Sequence, residues 1–260
     1  MLDYRLIEAF AAVIEEGGFE RAANRLRVTQ SAISQRIKQL EDEVGRILVL
    51  RESPPRATEA GERLIRHYRQ VASLEEEAIE ELGMSGRGGY QHLPIAVNAD
   101  CLSVWLLEAI LPYLRRTAVT LEIMVDDQDR TLRFLRSGEA AGCVSAQKLS
   151  IQGFTSTQIG ELRYLLCASP GFARQWFPEG IDREAASRAP CIHFTRFDQL
   201  QYRALERLFG RPRIEPPAFY IPSTEKFIDA AVAGLAYAMI PEVQAAPLIR
   251  EGALIELDPG

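Results

Sequence analysis

Leu2, Leu6, Phe10, Val13 and Ile14 recur at the spacing of a helix with one apolar face, and Gly17-Gly18 ends the pattern because two glycines lose too much backbone freedom to continue it. A short second helix is predicted over about Phe19 to Leu26, where Ala22-Ala23 let a neighbouring helix approach closely. After Arg27-Val28, Thr29 is an N-cap for a third helix, with Val28 and Ile33 at the two positions of a hydrophobic staple. Ile33, Ile37, Leu40 and Val44 form its buried stripe and Gly45 its stop, which leaves Gln30, Ser31, Ser34, Gln35 and Lys38 facing outward. Ile47 to Arg51 reads as a short strand, followed by Glu52-Ser53-Pro54-Pro55-Arg56, a Pro-stiffened turn suited to a wing. Three helices and a hairpin make a winged helix-turn-helix.

From Thr58, another N-cap, a long helix is predicted to about Leu82. Leu64, Val71 and Ala78 fall seven residues apart, flanked by Tyr68, Leu74 and Leu82, so the helix carries an apolar seam that could pair with a second copy. Its acidic end, Glu75-Glu76-Glu77 and Glu80-Glu81, reads as a solvated face, and four glycines over Gly83 to Gly89 mark the clearest domain boundary in the chain. Beyond it, apolar runs at Leu93 to Val97, Leu121 to Val125 and Gly142 to Ser145 alternate with helical patterns over Val104 to Leu114 and Thr131 to Leu135. A second set takes in YLLCAS from Tyr164, Cys191 to Phe194, a helix around Leu205, Phe219 to Ile221, a helix from Ser223, and Tyr237 to Ile240. Such alternation predicts a parallel sheet with crossover helices, arranged as two α/β lobes with a cleft between them.

Composition changes this picture little. At 260 residues, 47% hydrophobic and 25% charged, the chain can bury the core of one large domain and one small one. No apolar run reaches bilayer length, and Asp3 and Glu8 interrupt the start where a signal peptide would be basic and then apolar, so the cytoplasm and no membrane partner are expected. Cys101, Cys143, Cys167 and Cys191 are scattered without metal-ligand spacing, so no metal and no cofactor are expected. The net charge of −6 runs against nucleic-acid binding, but its distribution does not. From Phe19 to Lys38, Arg21, Arg25, Arg27, Arg36 and Lys38 face a single acid, Glu20.

In a helix-turn-helix, short polar side chains at the start of the second helix of the motif read base edges in the major groove. Thr29, Gln30, Ser31, Ser34, Gln35 and Lys38 hold that position, and Arg51 and Arg56 flank the wing. A merely polar helix start is the plain alternative, and the turn and wing around it favour double-stranded DNA. An enzyme is the competing class, yet His67, His92 and His193 stand beside no nucleophile motif and no catalytic residue is assigned. A mainly architectural DNA-binding protein is a further alternative, disfavoured by the large cleft-forming region.

The run FERAANRLRVTQSAISQRIKQLEDEVG, with ILVLR and TEAGERL after it, resembles the DNA-binding signature, wing and linker-helix start of LysR-type transcriptional regulators, and the likeness covers essentially the whole chain. PPRATEAG, AVNADCLSVWLL, Val125 to Gln147 and IPSTEKF resemble the branch of that family that senses lysine or arginine and activates basic amino acid export; a member of the family with a different effector, or a replication-inhibiting protein, is the alternative reading of that resemblance. The resemblance implies an α+β architecture: a winged helix-turn-helix over residues 1–58, a dimerising linker helix and hinge over 59–89, and a two-lobed effector domain similar to periplasmic binding proteins over 90–260. Its lobes are expected at about 90–163 and 164–240, with a final strand and helix of the family falling beyond Gly260. It also implies a homodimer or homotetramer held through Leu64, Tyr68, Val71, Leu74 and Ala78, with RNA polymerase as a further partner. The effector is expected between the lobes, its carboxylate at helix starts formed by Asn98-Ala99-Asp100 and Ser223-Thr224, its cation near Asp126, Asp127 or Asp198. For Asp126 and Asp198 a solvated loop carboxylate fits equally well. Asp126 stands where the branch commonly has Glu, and Cys101 where it commonly has a hydroxyl.

Overall fold

A computed structural model describes residues 3–82, 90–147 and 153–258. Leu2, the glycine-rich boundary at Gly83 to Gly89 and the side chains of Glu76, Glu77, Glu80 and Glu81 lie outside the described residues. Two compact units are drawn from the chain: Met1–Ile95, Ala118–Ile123 and Leu132–Cys143 make the first, and Ala96–Thr117, Met124–Thr131 and Val144–Gly260 the second.

The first unit opens with α1 (Tyr4–Glu15), α2 (Phe19–Leu26) and α3 (Gln30–Val44), close to the bounds that periodicity and capping predict. Asp3 caps α1 by accepting from Arg5 N, and Thr29 caps α3 by accepting from Ala32 N at 3.2 Å. Leu6, Ile7, Phe10, Val13, Ile33, Ile37 and Leu40 share one core with the alanine pair of α2. Each large side chain fully buried there contributes roughly 1.5–3 kcal/mol. The hairpin β1 (Val49–Leu50) and β2 (Arg56–Ala57) forms the wing, antiparallel, with Val49 opposite Ala57. Glu41 ties α3 to it by accepting from Leu48 N at 2.7 Å and Val49 N at 3.2 Å. The linker helix α4 (Glu59–Glu81) starts from Thr58, whose hydroxyl accepts from Gly61 N and donates to Ile47 O. Gly61 lets α4 pass close to the wing, since a Cβ there would collide with Leu48 O.

Next come β3 (Gln91–Val97), α5 (Ala99–Cys101), a π-helical stretch Leu102–Leu106, α6 (Leu107–Leu114), β4 (Val119–Val125), α7 (Leu132–Ser137) and β5 (Gly142–Cys143). The three strands form one sheet in the order β4-β3-β5. The helix predicted from Val104 begins at Ala99, because Asn98 caps it by accepting from Cys101 N. In the first unit, α7 and the turn after it seat on the linker helix: Arg66 donates to Arg136 O at 2.8 Å and Arg69 to Ser137 O at 3.2 Å.

The second unit continues with β6 (Tyr164–Ala168), α8 (Pro170–Trp176), α9 (Arg183–Arg188), β7 (Cys191–His193), α10 (Leu200–Phe209), β8 (Ala218–Tyr220), α11 (Thr224–Val232), β9 (Ala238–Pro241), α12 (Glu242–Arg250) and β10 (Ile255–Glu256). The expectation of a parallel sheet holds for β7 and β8, which one crossover helix joins. It fails for β6, which pairs antiparallel with both β9 and β10. Alternation of strand and helix constrains the direction of strands joined by a single crossover; β6 meets strands from much later in the chain, whose direction that rule does not govern. The periodicity also leaves α8, α9, α12 and β10 unpredicted, all nine residues or shorter. The start of α8 was nevertheless signalled by Ser169 as cap and Pro170 at its first position. An aromatic cluster of Phe172, Phe177 and Tyr237 centres this core, with Tyr237 OH donating to Ala186 O at 3.0 Å.

Candidate nucleic-acid interface and ligand cavity

In the first unit, the outer face of α3 presents Gln30, Ser31, Gln35 and Lys38 exposed and Ser34 half-buried. Thr29 has a second duty besides its exposure: its hydroxyl caps the helix and bonds the Ser31 hydroxyl at 2.9 Å. Arg51 and Arg56 are exposed on either side of the wing turn, and Arg51 lies 5.8 Å from the centre of the Phe19 ring. No acidic residue falls in the first turn of α3, so its N-terminal N–H groups and hydroxyls suit phosphate or base acceptors. The basic surface expected around it is smaller than the sequence count. Arg25 is bound to Glu15 at 2.8 Å and Glu16 at 3.3 Å, and Arg21 donates to Gly17 O, so both brace the helices that carry the reader. Arg27, counted in the basic run but left out of the predicted reading set, is exposed and in the left-handed region (φ 55°) at the turn between α2 and α3.

In the second unit, a cavity collects Asn98, Ala99, Asp100, Asp126, Asp127, Asp198 and Thr224 from the predicted effector set. Ser223 does not line it; its hydroxyl accepts from Lys226 N as the cap of α11. The four carboxylates differ in what holds them. Asp198 is clamped by its own loop, one oxygen accepting from Phe194 N at 3.0 Å and the other from Leu200 N at 2.8 Å. Asp126 accepts from Asp127 N and pairs with Arg130 at 3.4 Å, whose guanidinium lies 4.0 Å from the centre of the Phe197 ring. Asp127 accepts from Asp129 N at 3.1 Å, and Asp100 takes a 2.6 Å bond from Tyr164 OH. Burial is the largest cause raising the carboxyls of both Asp100 and Asp127 above the ordinary range, and the charge of Asp198 adds to it in each case. Asp198 therefore disfavours the charged form of both Asp100 and Asp127.

The cavity also contains a residue that sequence reasoning missed. Gln201 lies on its wall, fully buried in the first turn of α10. The available signal was periodicity: Gln201 stands on the same buried stripe as Ala204 and Leu205, a polar side chain where the helix pattern calls for an apolar one.

Nothing around the histidines resembles nucleophilic machinery. His67 bonds Tyr4 OH and His92 bonds Glu122. His193 lies 3.2 Å from Cys191 Sγ, but both are fully buried, burial pushes the thiol up to about 12, and burial lowers the imidazole. Among the described residues no cluster of three or more His, Cys, Asp or Glu could hold a metal ion, and no helix is long and apolar enough to cross a membrane.

Comparison with known proteins gives two family matches: a bacterial regulatory helix-turn-helix protein of the lysR family over residues 4–62, and a LysR substrate binding domain over residues 87–260. The HTH-type transcriptional regulator ArgP of Aeromonas salmonicida is 42% identical over 261 residues, covering 99% of this chain and 86% of that protein. ArgP of Salmonella typhi is 42% identical over 260 residues with the same coverage. Among solved structures, ArgP from Mycobacterium tuberculosis matches with a TM-score of 0.90 at 40% identity, over 100% of this chain and 88% of that one. Full-length LysG from Corynebacterium glutamicum with bound effector Arg matches at 0.78 and 32%, with the same coverage.

Proposed function

The chain belongs to the LysR family of helix-turn-helix transcriptional regulators, and from that premise we propose that it is a DNA-binding regulator switched by lysine or arginine. The observation that carries the effector reading is the gathering of Asp100, Asp126, Asp127 and Asp198 around one cavity. A buried cation needs anions beside it, and a cavity lined by four carboxylates, of which Asp126 is paired with Arg130, favours a ligand with a cationic side chain. The likeness to a LysG structure holding arginine supports the same ligand class. Ligand entry then alters DNA binding at Thr29, Gln30, Ser31, Ser34, Gln35 and Lys38 of α3 and at Arg51 and Arg56 of the wing.

In this reading residues 1–58 bind operator DNA, 59–89 join copies of the chain as a homodimer or homotetramer, and 90–260 hold the effector in a two-lobed domain. The targets are genes for basic amino acid export, and RNA polymerase is the downstream partner. The protein acts in the cytoplasm by binding and not by catalysis; the Cys191–His193 pair is buried with the thiol held protonated. Calorimetry and thermal unfolding with lysine, arginine and citrulline, the uncharged isostere of arginine, test the effector. Lysine or arginine should raise the unfolding temperature, by about 2.7 kcal/mol of stabilisation at a hundredfold excess over Kd. Equal stabilisation by citrulline overturns the basic-effector reading.

A further inference from the structure

Gln201 is fully buried, and neither Oε1 nor Nε2 has a hydrogen-bond partner among the described residues. Its neighbours on the same turn are settled: Gln199 accepts from Arg213 and donates to Phe197 O, and Arg203 reaches Asp129 at 2.5 Å. A buried amide with both ends bare costs free energy, and its place on the cavity wall sets it where a ligand would supply the missing partners.

We propose that Gln201 reads the α-amino-acid head of the effector, Oε1 accepting from the α-ammonium and Nε2 donating to the α-carboxylate. The proposal rests on the reading of this cavity as an amino acid site. A side-chain amide sets one acceptor beside one donor, and the ammonium and carboxylate on a single α-carbon offer the complementary pair. A guanidinium or a terminal ammonium offers donors only and would leave Nε2 bare, whereas Asp127 and the other cavity acids are suited to accept from it. The labour is thereby divided: carboxylates select the cationic side chain, and Gln201 selects the zwitterion. The second selection matters because an acidic cavity by itself attracts any compact organic cation, including the amines left when basic amino acids lose their carboxylate. A site that hydrogen-bonds a group rejects the analogue lacking it far more strongly than an apolar wall does.

The test is calorimetry on the full chain and on its Gln201→Leu and Gln201→Met variants, with arginine and its decarboxylated analogue agmatine, each protein melted without ligand as well. Both variants should lose about tenfold or more of the preference for arginine over agmatine. Both should also melt at or above the parent's temperature without ligand, because two bare polar atoms have been removed from the interior. A structural role would instead lower the melting temperature and weaken both ligands in proportion, and that outcome overturns the proposal. So does an unchanged arginine-to-agmatine preference in either folded variant, with the parent still binding arginine. A parent that binds neither lysine nor arginine overturns the basic-effector reading itself and takes the proposal with it.

Discussion

Asp127 illustrates how a residue proposed to bind the effector weakens the fold that carries it. Its carboxyl is raised, first by burial, so the folded state holds the proton more tightly than the unfolded chain. The stability it contributes is then fully present below the ordinary carboxylate range near pH 4 and is lost as pH rises through the raised value. Asp127→Asn keeps an oxygen for the Asp129 N–H and removes the charge. The unliganded variant should melt above the parent at pH 7.5, and the difference should shrink toward pH 4, while affinity for arginine falls. Scanning calorimetry at both pH values checks this, and an equal difference at the two is the result that rejects it. At the DNA face the same scale separates readers from braces. Gln30 is exposed at the start of α3, whereas Arg25 is committed to Glu15 and Glu16. Gln30→Ala should reduce discrimination between operator and random DNA by roughly 1–3 kcal/mol if the amide pairs with a base edge, with non-specific affinity nearly unchanged. Titration against both DNAs measures this, and retained discrimination removes Gln30 from the reading set.

The linker helix serves two partners along its length. Leu64 and Tyr68, both assigned to the dimer seam by their spacing, pack against the N-terminal core of their own chain. Farther along, Leu74 is 63% exposed and Leu82 72%, with Ile79 and Ala78 also exposed and Val71 half-buried between the two regions. Large apolar side chains in such a row on a long helix favour a second copy. Leu74→Glu should therefore shift sedimentation toward monomer and leave the melting of the N-terminal domain nearly unchanged. Leu64→Glu should instead destabilise that domain by several kcal/mol, since it introduces an unpaired charge beside the core. An unchanged dimer in Leu74→Glu excludes the distal half of α4 as the interface. The proximal half is further anchored by Arg69, which joins Glu15 of α1 at 3.1 Å to the carbonyl of Ser137 at the end of α7.

Over the whole molecule, legibility followed the range of the interactions. The three helices, their caps at Thr29 and Gly45, the wing and the linker helix were readable from the chain, because helical period, capping and turn chemistry act within a few residues. The family signature lies in that same local stretch, and the acids of the effector region could be named one by one. Tertiary structure decided which of those acids meet and in what state. Asp198 is held at both oxygens by its own loop, Asp126 is paired with Arg130, and burial raises Asp100 and Asp127, distinctions that depend on groups brought together across the fold. The antiparallel pairing of β6 with β9 and β10 lay beyond a rule about consecutive strands. Gln201 was unreadable as a site for the same reason. Its place on a buried stripe is local, but whether a buried amide finds a partner depends on side chains distant in sequence, and only the folded chain brings it bare to the cavity wall.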